Sequence, residues 1–276
     1  MLAAGCSSRP VPVAPGVALR VLEWPGAGRP FLLVHGLASN ALLWRGVADV
    51  LASCGHRVVA VDLRSHGQSD TPPEGYTTDA AAADLAALVA ELDLVDPVLA
   101  GQSWGGNVVL SYAAAGHPAR AVGCVDGGWL HLADRFATWS ECWAALAPPP
   151  LDGLTAATFA ALLRRRHPSW PAAAIEATMA NLRERPDGRL VRHLSLPHHE
   201  SIVRSMYDDP PRRWYARVSV PVLLLPAGDP DGPSAALVDE AARLLSRARV
   251  RWYAGADHDV HAQYPAEVAA DLLRLV

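Results

Sequence analysis

Short apolar runs that read as strands take turns with Ala- and Leu-rich segments that read as helices along most of this chain of 276 residues. Residues 17–24, 56–62, 97–100 and 119–125 have strand character, while 41–54, 79–92 and a segment from Ser103 toward Ala115 have helical character. Parallel neighbours need long crossovers, and helices usually provide them. The alternation therefore predicts an α/β fold, a mostly parallel doubly wound sheet of about eight strands with helices on both faces. Ligands of such sheets bind beyond the carboxyl ends of the strands, so chemistry-bearing residues at those ends are the candidates to weigh.

One strand end carries Gly101-Gln102-Ser103-Trp104-Gly105, with a helical segment directly after it. Small residues permit a tight turn, and the turn holds the serine hydroxyl clear of the backbone while helix N–H groups face whatever the serine attacks. Ser103 is thus a candidate nucleophile, its plain rival role being that of a helix N-cap. A serine needs a histidine to take its proton and a carboxylate to orient that histidine, in the chain order Ser, acid, His. Asp229, just past the apolar run 218–225, is the first choice of acid; Asp126, after the run 121–125, is the alternative, and Asp231 ranks below both. His258, on the loop after residues 248–253, is the candidate base in preference to His261. Oxyanion donors are expected from the backbone N–H groups of Leu37 and Trp104, because Gly36 lets the chain bend toward the site after residues 30–34. His35 reads as a structural hydrogen-bonding residue.

Composition removes several alternatives. All 24 basic residues are arginine and the net charge is −4. Without lysine there is no P-loop lysine, no pyridoxal Schiff base and no lysine general base. A nucleic-acid partner has no basic footprint to rest on. Arg164-Arg165-Arg166 points in different directions around a helix and reads as a solvated face, and His198-His199-Glu200 diverges too much for a metal site. No cofactor or metal is expected. Cys6, Cys54, Cys124 and Cys142 lack metal-ligand spacing and read as reduced thiols of a cytoplasmic chain. The start, ending in Gly5-Cys6, has a faint likeness to a lipid-attachment site but lacks a charged n-region and an apolar run. No stretch approaches the length of a membrane span.

Taken with His35-Gly36, the segment Asp62-Leu63-Arg64-Ser65-His66-Gly67-Gln68-Ser69-Asp70, the elbow at Ser103, Asp229 and His258, the chain resembles the α/β-hydrolase superfamily, in its branch of small bacterial hydrolases. The likeness implies a structural loop at Asp62, Arg64 and Ser69. It disfavours haloalkane dehalogenase and epoxide hydrolase chemistry, since those branches carry aspartate at the elbow. Three departures stand out: Ser65 and Asp257 replace frequent glycines, and Trp104 is bulky. The strand-poor stretch between core pieces 1–129 and 215–276 implies a helical cap, residues 130–214, with helices at 155–166, 171–185 and 197–207. Trp104, Trp129, Trp139 and Trp143 are expected to line a pocket for an apolar or aromatic small-molecule acyl substrate. The implied activity is that of a cofactor-independent serine hydrolase cleaving an ester or related acyl bond. C–C bond hydrolysis, lactonase or acyltransferase activity would use the same triad, and a non-hydrolytic receptor or lyase could occupy the same fold.

Overall fold

A computed structural model of the protein describes residues 5–276; Met1–Ala4, the beginning of the lipoprotein-like start, lie outside the described residues. Strands β1 (Ser7–Ala14) and β2 (Val17–Trp24) form an antiparallel hairpin. Then come β3 (Gly28–Val34), α1 (Arg45–Ser53), β4 (His56–Val61), α2 (Thr78–Glu91), β5 (Val98–Gln102), α3 (Trp104–Ala114) and β6 (Ala121–Val125). The next stretch holds α4 (Trp139–Leu146), α5 (Ala156–Arg166), α6 (Ala172–Met179), β7 (Leu182–Glu184), β8 (Leu190–Arg192), α7 (Leu196–Asp208) and α8 (Arg212–Tyr215). The chain finishes with β9 (Val222–Leu225), α9 (Ala235–Leu244), β10 (Ala248–Val250), α10 (Val260–Gln263) and α11 (Pro265–Leu273).

Eight strands make one sheet in the order β1-β2-β4-β3-β5-β6-β9-β10. The pairs β1–β2 and β2–β4 are antiparallel, and every other neighbour is parallel. Side chains of a strand alternate between faces, and both faces here are dry. Phe31 and Leu33 pack with Val47 and Val268 on the side of α1 and α11, whereas Leu32 and Val34 pack with Leu85 and Val108 on the side of α2 and α3.

Three of the differences from the sequence reading have a clear physical cause. β1 carries Pro10 and Pro12, which a central strand would not tolerate, but as an edge strand it loses little by them. The expected helix 41–54 is split, a 3-10 turn at Ala41–Trp44 preceding α1. The expected helix 171–185 stops at Met179, and the chain turns back as the antiparallel hairpin β7–β8 around Pro186-Asp187-Gly188. That tripeptide is a turn signal, and Gly188 adopts the positive φ (80°) the turn requires.

The residues between β6 and β9 lie against loops at the carboxyl ends of the core strands. Asn40 Nδ2 donates to Ala177 O (2.8 Å) and Asn181 Oδ1 (2.6 Å). Ser65 Oγ bonds His198 Nδ1 (2.9 Å), and the Thr78 amide donates to Ser205 Oγ (3.0 Å).

Candidate active site

Ser103 is the single residue between β5 and α3, and its backbone lies at φ 53°, ψ −123°. A residue with a Cβ is rarely found there, at a cost of order 1–3 kcal/mol. The surroundings impose the conformation: the Ser103 amide donates to Val125 O and its carbonyl accepts from the Gly106 amide, both at 2.9 Å. Glycine permits the close approach. A Cβ on Gly105 would meet the Val34 and His35 carbonyl oxygens at 2.6 Å, and one on Gly127 would meet Ser103 O at 2.1 Å. The hydroxyl makes no capping bond to α3, so the N-cap role falls away.

His258 is carried by the loop after β10, and its Nδ1 is 2.5 Å from Asp126 Oδ2. The carboxylate beside the histidine is therefore the alternative acid, while the first choice, Asp229, is exposed and its carboxylate bonds no other described residue. The cause lies in how the loops after the strands are held, since β9, which precedes Asp229, is the strand next to β10. Asp126 turns sharply at the end of β6 with φ 41°. Its amide donates to Leu225 O (2.9 Å) and its Oδ1 accepts from Ala227 N (3.0 Å), which leaves Oδ2 for the histidine. Asp229 lies beyond that anchor, carried off along the loop toward α9. Asp231, further along the same loop, is likewise exposed.

Desolvation by the loops packed around its inner edge works to lower the pKa of His258, but the hydrogen bond and charge of Asp126, helped by Asp259, outweigh it and raise the imidazole above its ordinary value. Its side chain is 52% exposed and Nε2 bonds no described residue, so that nitrogen is open to a reactant. Gln102 Nε2 donates to His258 O (3.2 Å), tying the histidine loop to the strand end that bears Ser103. Gln102 was not singled out in the sequence, where a glutamine before the elbow serine carries no signal. His261 is wholly buried, 4.4 Å from Trp44 ring to ring, with neither ring nitrogen bonded, and burial lowers its pKa to about 3.

The Trp104 amide is the first of α3, one of the N–H groups a helix leaves unpaired at its start. Gly36 lies against the elbow, since a Cβ on it would come within 2.9 Å of Ser103 Cβ, and Leu37 follows directly. Two neutral histidines shape this turn. His35 Nδ1 donates to Gly36 O (2.7 Å) while Nε2 accepts from Leu63 N (3.0 Å); His66 Nδ1 donates to Arg64 O (2.8 Å) while Nε2 accepts from Ala38 N (3.1 Å). Burial holds their pKa values down to about 4 and about 3. His35 thus has the structural place expected of it.

A cavity of about 590 Å³ opens beside the same turn, between Ala38, Ser39 and His66 on one side and Leu146, Phe159 and Leu194 on the other. The four tryptophans expected to line a pocket do not line this one. Trp104 and Trp129 are buried in the core, Trp104 donating from Nε1 to Thr78 Oγ1 (3.1 Å). Trp139 and Trp143 stack on each other at 6.1 Å, and Trp143 packs edge-on to His199, a lining residue. Large flat side chains satisfied the interior before the pocket.

The departures at Ser65 and Asp257 find uses here. Ser65 adopts φ 60°, where glycine is at ease, and its hydroxyl holds His198. Asp257 Oδ2 accepts from Trp170 Nε1 (3.1 Å) and pairs with His167 Nδ1 (3.0 Å), beside His258. His198 and His199 go separate ways, His199 Nε2 to Leu146 O, and among the described residues no cluster of three metal-ligating side chains occurs. Nor is any described helix long and apolar enough to cross a membrane.

The family model described as the alpha/beta hydrolase fold matches residues 29–263. The chain belongs to the alpha/beta hydrolase family. It is 29% identical to a non-heme chloroperoxidase of Streptomyces lividans, over 96% of this chain and 98% of that one. A non-heme haloperoxidase of Rhodococcus erythropolis is 39% identical over 41% of this chain and 42% of its own length. Among solved structures, E-2-(acetamidomethylene)succinate hydrolase superposes with a TM-score of 0.81 at 26% identity, covering 98% of both chains. This alpha/beta hydrolase thus has relatives named for more than one reaction.

Proposed function

We propose that the protein is a cofactor-independent serine hydrolase of esters or related acyl compounds, with Ser103 as nucleophile, His258 as general base and Asp126 as the acid that orients it. The observation that carries this reading is the backbone of Ser103, a non-glycine residue at φ 53° on the junction of β5 and α3. Strain of that kind persists where surrounding structure enforces it, and it clusters at reactive sites.

In the proposed cycle His258 Nε2 takes the Ser103 proton as Oγ attacks the substrate carbonyl. Asp126 fixes the tautomer through Nδ1 and stabilises the imidazolium without becoming protonated. The Leu37 and Trp104 amides receive the oxyanion. Collapse expels the alcohol, to which His258 returns the proton, and water activated by the same histidine then releases the acid. Residues 130–214 act as a cap that excludes water and shapes the acyl pocket.

The test is a panel of esters, thioesters and lactones with acyl length varied, assayed with wild type and Ser103→Ala. Turnover lost in the variant by a factor of about 10³ or more supports the reading; equal turnover by both proteins contradicts it. Because relatives carry haloperoxidase names, hydrogen peroxide is a second acceptor worth testing in place of water. Product analysis with added peroxide separates a peracid from the free acid.

A further inference from the structure

The cavity beside the oxyanion turn has an unbalanced charge. Among the residues that line it, no Asp or Glu occurs and Arg192 is the one side chain with a permanent charge. Arg192 ends β8, opposite Leu182 of β7, and its guanidinium donates to the Pro149 carbonyl. That bond takes one of five donors, and no described carboxylate pairs with the rest. Burial depresses the Arg192 pKa, as for a cation without a counter-ion, yet a guanidinium stays charged at any working pH. The lining histidines add no charge at neutral pH, because burial lowers the pKa of His193, His199 and His66 alike. The chamber is therefore apolar with a single positive charge on its wall. The guanidinium is half-buried and has no carboxylate partner among the described residues, so it is the one fixed charge in the cavity that can pair with an anion.

We propose that the cavity takes acyl groups that end in a carboxylate, and that Arg192 is the specificity-determining residue that binds this end. The inference rests on the serine hydrolase reading and names its substrate class. Ala38 and Ser39, the two residues after the proposed oxyanion donor Leu37, are on its wall, whereas Ser103 and His258 are not, so the scissile carbonyl would sit outside the cavity and the acyl tail would enter it past Ala38 and Ser39. Leu146, Leu151, Phe159 and Leu194 offer apolar wall for a methylene chain reaching toward Arg192. A planar guanidinium matches a carboxylate in the bidentate mode, and one positive charge balances a carboxylate where it would leave a phosphate monoester half uncompensated.

The experiment compares p-nitrophenyl half-esters of dicarboxylic acids with p-nitrophenyl esters of monocarboxylic acids of matched length, using wild type, Arg192→Met and Arg192→Lys. Wild type should favour the half-ester of best length. Arg192→Met should lose kcat/KM for it by about 10- to 100-fold, mainly through KM, with the neutral ester little changed, and Arg192→Lys should retain part of the preference. Equal losses on both esters would reduce Arg192 to a prop for Pro149 and overturn the inference, as would a wild-type preference for the neutral ester. Calorimetry with suberate reads the same residue without turnover, so its outcome does not depend on the serine chemistry. Binding weakened at least tenfold by Arg192→Met supports the inference; no binding, or equal binding by both proteins, overturns it.

Discussion

Asp126 holds His258 through Oδ2 at 2.5 Å while its Oδ1 is held by the Ala227 amide at 3.0 Å. One carboxylate thus joins the ends of β6 and β9 to the histidine loop, and its orientation is set before any substrate arrives. Preorganisation of this kind is what a triad acid supplies.

Asp126→Asn is therefore expected to lower kcat by about 10⁴-fold, the scale seen when a triad acid becomes an amide. Asp229→Asn should stay within a few-fold of wild type, since its exposed carboxylate has no described partner. Steady-state kinetics of both variants on one ester decide between them, and the reverse ranking would return the role to Asp229.

The pH profile follows from the same pair. His258 must be neutral to accept the Ser103 proton, and Asp126 raises its pKa from the ordinary 6.5. The rising limb of kcat/KM against pH should have its midpoint above 6.5. In Asp126→Asn burial acts without the opposing charge, so the limb should move to lower pH while the plateau falls. A wild-type midpoint at or below 6.5 contradicts the proposed pairing.

Acid stability is governed by other histidines. His35, His66 and His261 are buried, with pKa values lowered to about 4, about 3 and about 3. Below pH 6.5 the unfolded chain takes up protons at these rings that the folded chain refuses, so stability falls as the pH drops toward 4. Each contributes up to about 1.4 kcal/mol per pH unit. His261→Leu removes one of the three, and its stability relative to wild type in urea unfolding should improve between pH 7 and pH 5. An unchanged difference would count against a neutral buried His261.

Much of the fold was legible because it depends on period. A buried parallel strand is a short apolar run, and a crossover helix has its own spacing, so β3 to β6 and the elbow could be read directly. Ser103 and His258 were legible as candidates because each is polar at the end of such a run. The choice between Asp126 and Asp229 was not, since both follow strands and only the tertiary anchoring of the loops after them, with Asp126 tied to Leu225 and Ala227, separates them. The hairpin β7–β8 was hidden because Ala-rich residues before it favour helix, and the tertiary places of the tryptophans have no local signature. Ser65 and Asp257 looked like losses of glycine flexibility; their bonds to His198, His167 and Trp170 come from residues over 80 positions away.

Those long-range bonds carry a prediction of their own. Asp257→Ala frees His167 and Trp170, and amide exchange across residues 156–179 should accelerate. KM should rise more than kcat falls, because the proposed cap shapes the pocket without touching the proton transfers. Exchange unchanged from wild type would show that Asp257 is not what secures this segment.

The elbow admits a steric test. Gly127→Ala would place a methyl group 2.1 Å from Ser103 O, so the turn must shift. Thermal unfolding should register a loss of about 1–3 kcal/mol, and kcat should fall with it. Full activity in a stably folded variant would mean that the elbow geometry is not required.

The central claim is that Ser103 is the nucleophile, and fluorophosphonate labelling read by peptide mass spectrometry addresses it most directly. One adduct should form, on the peptide containing Ser103, and it should be absent from Ser103→Ala while that variant keeps the wild-type melting behaviour. An adduct on any other residue, or labelling that persists in Ser103→Ala, would contradict the claim.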